Sequence, residues 1–195
     1  VANPKVPVST VAELLAYARA NPGKLNYAST GNGSSNHLSF ELFKSMTKTS
    51  ITHIPYKGSA PAVTDLLAGQ VDMMFDNTPN VLPHVRAGKL KAVAVSSKTR
   101  SSLAPEVPTV DEAGVPGYDV TVWFGILTVA GTPRDIVQRL NTEIVKILTS
   151  AEVRERFGKA GVEVVAGTPE QFSGFLKSEV ARWAKVVQDA GIKAD

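Results

Sequence analysis

Residues 28–38, ASTGNGSSNHL, bring two glycines, asparagine and four hydroxyl side chains together between a β-like run, LNY, and a helical one, HLSFELFKSM. A helix N-terminus presents backbone N–H groups without intrahelical partners and carries partial positive charge. Glycines let an anion come close to those groups. Thr30, Ser34 and Ser35 add hydroxyl donors, and Asn32 adds an amide. The chemistry this fits is an anion cradle, for a carboxylate as well as a phosphate. The same residue types also serve a plain turn and an N-cap. The loop is not a P-loop, because no Gly-Lys-Ser/Thr follows, and GNGSSN lacks the third glycine of a dinucleotide fingerprint. Nor is it a G-x-S-x-G nucleophile elbow, because glycine stands where the serine would be.

Two further turns carry small polar residues: YKGS (56–59) and DNTP (76–79). Lys57 could pair with a carboxylate, although a lysine in a turn is usually solvated. Asp76 could receive a ligand amine or fix its loop, and a lone carboxylate there more often caps the following helix. Asp72 and Asp76, four apart on a strand, would face one side. His37, His53 and His84 are the only histidines, and each stands alone in the sequence. His37 falls in the first turn of its helix, where it could cap, pack or touch a ligand. His53 reads as structural, and His84 lies on an exposed helix. Trp123, Phe124 and Trp183 read as packing residues.

The elements that must hold these turns alternate. Helices are expected over 10–20, where Thr10 and Glu13 are spaced as a capping box, 35–47, 60–68, 78–88, 133–149, 151–160 and 169–190. The second would bury Leu38, Leu42, Phe43 and Met46 on one face. Strands are expected at KLNYAS, ITHIPY, VDMMFD, KLKAVAVSS, YDVTVWFGILTVA (the longest) and VEVV. Residues 100–117 read as a connection with one short helix near TVDEAG. Such β–α alternation predicts a parallel sheet covered on both faces, with ligands at the carboxyl ends of its strands. All three polar turns would then line one rim.

Lysines and arginines are scattered and the net charge is only +3, so nothing marks a nucleic-acid partner. The absence of cysteine excludes disulfides and thiolate chemistry. No apolar run reaches the roughly 20 residues needed to span a bilayer, and the first residues hold no apolar signal core. The chain therefore reads as cytosolic, or as a mature or truncated product.

The blocks NPGKLNYASTGNGSSNHL, THIPYKGSAPAVTDLLAGQVDMMFDN, LPHVRAGKLKAVAVSS, PEVPTVDEAGVPGYDVTVWFGILTVAGTP and RWAKVVQDAGIKAD resemble, in order, successive blocks of the Bug family. These TctC-like proteins are the extracytoplasmic solute receptors of tripartite tricarboxylate transporters. The resemblance covers essentially the whole chain. It implies an α/β, type II periplasmic-binding-protein-like fold, with one parallel-sheet lobe and the C-terminal part of a second. Residues 1–116 would form lobe 2. Residues 117–195 would supply a hinge strand and helices of an incomplete lobe 1, whose N-terminal part, with a second glycine-rich ligand loop, has no counterpart here.

The resemblance also implies a periplasmic location, a small carboxylate ligand, partner subunits of a tripartite membrane transporter, and no cofactor, metal or catalytic residue. Carried over residue by residue, the ligand-facing positions are Ser29, Thr30, Gly31, Asn32, Gly33, Ser34, Ser35 and His37 in the first turn. Tyr56, Lys57 and Gly58 follow in the second, and Asp76 and Asn77 in the third. The roles expected are N–H donation from residues 31–35 and hydroxyl donation from Thr30 and Ser34. The remnant of lobe 1 would leave apolar faces open to self-association as a dimer or to a mobile C-terminal region. Two rivals are an enzyme with His37 as general base, which needs a second group beside it, and a stand-alone interaction module.

Overall fold

The computed structural model describes residues 1–192 and divides into two compact units. The first comprises Val1–Val122 together with the chain from Lys185 on. It holds α1 (Val11–Ala20), β1 (Asn26–Ser29), α2 (Ser35–Thr47), β2 (Thr52–Pro55), α3 (Ser59–Ala68), β3 (Met73–Met74) and α4 (Thr78–Arg86). The strands form a parallel sheet in the order β2-β1-β3. Tyr27 lies opposite His53 on one side and Met73 on the other, so β1 is bonded along both edges.

Neighbouring residues of β1 serve opposite faces, as the pleat requires. Tyr27 stacks on Phe40 of α2 at 4.1 Å between ring centres. Ala28 joins Ala62 and Leu66 of α3, Met74 and Val81 in a buried cluster. Helices therefore cover both faces of the sheet. The start of α1 is the expected capping box, with Thr10 Oγ1 accepting from Glu13 N–H and the Glu13 carboxylate accepting from Thr10 N–H. Gly69 ends α3 in the left-handed conformation that glycine adopts at no steric cost.

Several expectations are corrected. The buried face of α2 is Asn36, His37, Ser39, Phe40, Phe43 and Thr47, while Leu38 and Leu42 are half-buried and Met46 is exposed. β3 is only two residues long. Residues 89–97 form no strand, and make isolated bridges from Lys91 to Ala2 and from Val95 to Thr109. Around TVDEAG there are turns closed by Ala113 N–H donating to Thr109 O at 3.0 Å and Gly114 N–H to Asp111 O at 3.3 Å, with Thr109 Oγ1 accepting from Glu112 N–H, and no helix. Residues 118–130 and 162–165 are not paired as strands. Their β-branched and aromatic residues suit a strand, but a strand exists only when a neighbour accepts its ladder of bonds.

The second unit, Trp123–Ala184, holds α5 (Arg134–Leu148), α6 (Ala151–Lys159) and most of α7 (Pro169–Ala190). Trp123 packs edge-on against Phe172 and Phe175, at 5.8 and 5.2 Å. Its indole N–H and that of Trp183 both donate to Glu179, each at 3.0 Å. Gly125 lies so close to Phe172 that a Cβ there would meet the ring at 2.2 Å. Phe124 is no packing residue, since 83% of it is exposed. Ile126, Leu127 and Val129 are exposed as well, and no residue of α5 or α6 is buried. Among the described residues no helix is long and apolar enough to cross a membrane.

Asp72 and Asn26 tie the start of β3 to the start of β1. Asn26 N–H donates to Asp72 Oδ2 at 2.8 Å, and Asp72 N–H donates to Asn26 Oδ1 at 2.9 Å. Replacing Asp72 by Ala leaves the Asn26 N–H without its acceptor, which costs about 1–3 kcal/mol. Urea unfolding is expected to read that loss, with Asp72→Asn retaining part of it through the amide oxygen. An alanine variant as stable as the parent would contradict this role.

Candidate functional site

In a parallel sheet every strand ends on the same edge. Here the three turns that follow β1, β2 and β3 meet there, and direct bonds fasten them together. Tyr56 N–H donates to Ser29 O at 3.0 Å and Gly58 N–H to Thr30 O at 3.3 Å. Ser59 Oγ donates to Asp76 Oδ2, joining the second turn to the third. Asn36 links the first to the third: its Oδ1 accepts from Thr30 Oγ1 at 2.7 Å, and its Nδ2 donates to Phe75 O at 2.5 Å. Helices α2, α3 and α4 all begin at this rim, so three partly positive helix ends share it.

The glycine loop is held from inside. Gly31 and Gly33 have φ of 138° and 71°, values that side chains rarely adopt. Gly31 N–H donates to Ser29 Oγ at 3.2 Å, Gly33 N–H to His37 Nδ1 at 3.0 Å, and Ser34 N–H to Gly31 O at 3.2 Å. Ser34 is the N-cap of α2 and accepts from His37 N–H. The N–H groups of Ser35 and Asn36, the first two residues of α2, have no hydrogen-bond partner among the described residues. Ser35 falls within the expected 31–35, and Asn36 lies one residue beyond it. Thr30's hydroxyl proton goes to Asn36. Ser34's hydroxyl accepts one bond and keeps its proton to give.

The other expected residues fall as follows. Tyr56 is half-buried, and its hydroxyl donates to Asp65 at 2.8 Å. Burial, then Asp65, push that hydroxyl up to about 12, so it stays a donor. Asn32 and Lys57 are exposed, as is Asn77. Gly58 takes φ of 111° as the cap of α3. Asp76 accepts from Asn77 N–H at 2.8 Å and from Asn80 Nδ2 at 3.3 Å besides Ser59, and so fixes its loop. Asn36 and Ser59 were not legible as site residues. The signal for either is its place inside a polar stretch, ASTGNGSSNHL for Asn36 and YKGS for Ser59.

The histidines do not all stand alone. His37 and His53 stack face to face, with ring centres 3.8 Å apart and planes 8° from parallel. Tyr27 stacks on His53 at 4.9 Å. His53 Nε2 lies 2.6 Å from Ser29 Oγ. Glu41, one turn along α2, lies 3.8 Å from His37 Nε2, and its Oε1 accepts a hydrogen bond from the Tyr27 hydroxyl and pairs with the Lys44 ammonium, each at 2.6 Å. A carboxylate therefore does stand beside His37. The lone pair a general base would use is nonetheless occupied by the Gly33 N–H, and the ring is buried.

A separate hollow lies elsewhere in the first unit. It measures about 560 Å³, is lined by residues including Val11, Val85, Val93 and Pro108, and shares no residue with the rim. Its walls are mostly apolar and offer an anion little. Among the described residues no cluster of His, Asp or Glu could hold a metal ion.

Comparison with known proteins bears on this arrangement. The model of the family "Tripartite tricarboxylate transporter family receptor" (TctC) matches residues 1–192. BugT of Bordetella pertussis is 42% identical over 193 residues, which are 99% of this chain and 59% of that protein. Among solved structures, Rpa4515 of R. palustris with adipate is 41% identical with a TM-score of 0.88, covering 98% of this chain and 64% of that one. MatC of Rhodopseudomonas palustris with bound malate is 34% identical with a TM-score of 0.81, covering 95% and 64%. The periplasmic binding protein BugD gives 34% and 0.85, covering 100% and 66%. The chain thus spans about three-fifths of the length of these relatives.

Burial, then the charge of His37, lower the His53 pKa from 6.5 to about 4. Burial, helped by Lys44 and opposed by Glu41, lowers that of His37. An unfolded histidine takes up a proton near pH 6.5 and the folded pair resists it. The unfolded state therefore binds more protons between about pH 6.5 and 4, and stability falls as the pH drops through that window. The melting temperature is expected to fall between pH 7 and 4.5, with His53→Gln removing a few degrees of that fall. Identical pH profiles for the two proteins would contradict the burial argument.

Proposed function

The chain belongs to the tripartite tricarboxylate transporter receptor family, and from that premise we propose that it binds a small carboxylate as part of a periplasmic solute receptor. The ligand would be a mono- or dicarboxylate, handed to the membrane subunits of a tripartite transporter. The observation that carries this reading is the pair of unpartnered N–H groups at Ser35 and Asn36, at a rim where three helices begin.

One carboxylate oxygen would accept from these two N–H groups and the other from the Ser34 hydroxyl, with Gly31 and Gly33 leaving the approach clear. Such charge-assisted bonds are shorter and roughly twice as strong as neutral ones. Tyr56, Lys57 and Gly58, with Asp76 and Asn77, would border the guest on the β2 and β3 side, Lys57 adding a long-range positive charge. In this reading residues 1–116 serve as the ligand-binding lobe, and residues 117–195 as the hinge passage and helices of the other lobe. Closure of two lobes is a population shift driven by the ligand's better fit to the closed form. The adipate and malate held by the R. palustris relatives support dicarboxylates as the first ligands to test. Binding rather than catalysis suits a histidine whose basic nitrogen is already used. The exposed apolar side chains of residues 124–129 are where self-association into a dimer would occur.

Calorimetric titration of the complete gene product with C4–C6 dicarboxylates is the test. Ser35→Pro isolates the donor. Proline suits the first position of a helix, and Ser34 already has the extended conformation (φ −66°, ψ 161°) required before it. The substitution removes one N–H and little else. Binding is expected to weaken about tenfold or more, with the melting temperature unchanged. Undiminished binding in Ser35→Pro would overturn the proposed donor set, and no binding by the parent would overturn the ligand class.

A further inference from the structure

We infer that His37 and His53 are positioning residues: as a stacked pair they set the shape of the glycine loop, and through it the two open N–H groups of α2. The inference rests on the reading of that loop as the carboxylate site.

Both rings reach the loop, and they reach different parts of it. Gly33 N–H donates to His37 Nδ1 at 3.0 Å, which fixes the glycine whose φ of 71° turns the chain into α2. His53 acts one step removed. Its Nε2 lies 2.6 Å from Ser29 Oγ, and that oxygen accepts from Gly31 N–H at 3.2 Å and donates to Gly31 O at 3.1 Å. Gly31 and Gly33 flank the loop tip, so each glycine is anchored by one imidazole. The rings in turn brace each other at 3.8 Å, with Tyr27 and Phe40 stacked beyond them. A turn built from glycine, serine and asparagine has little stiffness of its own. Here its stiffness comes from two aromatic rings carried by α2 and β2.

The anchor at Gly33 works in one protonation state. Nδ1 of His37 must carry a lone pair to accept that N–H, so the ring must be neutral with its proton on Nε2. A second proton would set N–H against N–H and release Gly33. The groups facing the pair are Glu41 and Lys44 from α2, Tyr27 and Ser29 from β1, and each histidine for the other. Glu41 favours the charged ring. Burial, Lys44 and the neighbouring imidazole oppose it.

Two substitutions separate positioning from bulk. Asn places its amide oxygen where Nδ1 stands and keeps the acceptor. Phe keeps the stack and loses the acceptor. Calorimetric titration of the complete gene product with adipate at pH 8 is expected to give an affinity for His37→Asn within about threefold of the parent, and for His37→Phe about tenfold or more weaker. In ligand-free protein, the Gly33 amide resonance is expected to move as the pH falls from 7 to 4, and to stay still in His37→Asn. Equal adipate affinity for parent and His37→Phe would overturn the inference, as would a Gly33 resonance that ignores pH in the parent. If no protein binds adipate and the Gly33 resonance still follows His37, the anchoring stands and the carboxylate reading fails.

Discussion

The structure of the first unit depends on β1 lying at the centre of a parallel sheet. Bonded to β2 on one side and β3 on the other, β1 forces three strand ends, and the three helix starts that follow, onto one edge. That edge gathers partial positive charge that no single element carries. It also gathers the backbone groups that need partners, and most find them across the turns: Ser29 with Tyr56, Thr30 with Gly58, Asn36 with Phe75. The first N–H groups of α2, at Ser35 and Asn36, are among those left without a partner by this topology. Ser34 caps the helix by satisfying His37 N–H, the third in line, and leaves the first two donors without a partner among the described residues.

The pieces of this arrangement that are local in sequence were legible there. Thr10 and Glu13 announce α1, Gly69 announces the end of α3, and the polar turns after LNY, ITHIPY and VDMMFD announce strand-to-helix corners. What was not legible depends on partners distant in the chain. KLKAVAVSS and YDVTVWFGILTVA have the composition of strands, but composition cannot supply the neighbouring backbone that a strand requires. The stacked histidines are hidden for the same reason. They lie 16 positions apart, and only the pairing of Tyr27 with His53, together with a helix that begins six residues after β1, lays one ring on the other. The inner face of α2 misled as well. A count of apolar residues selects Leu38, Leu42 and Met46, whereas the buried face includes Asn36 and His37, polar residues recruited to hold the loop.

That recruitment links the core to the rim. Buried polar side chains are costly unless paired, and no buried side-chain nitrogen or oxygen among the described residues lacks a partner. Asn36 and His37 meet the requirement by bonding to the turns they support. The result is a loop of small residues, accessible at its tip and fixed at its base. It suits recognition of a small anion through backbone donors, which leave selectivity to whatever borders the guest.

The central claim is that a carboxylate meets the amide protons at the start of α2. Backbone ¹H–¹⁵N spectra of the complete gene product, recorded while adipate is added, test it directly. The account predicts that the resonances of Ser35 and Asn36 shift first and furthest, with Gly31 and Gly33 following. Shifts centred on Val11, Val93 and Ala113, around the apolar hollow, with Ser35 and Asn36 unmoved, would contradict it.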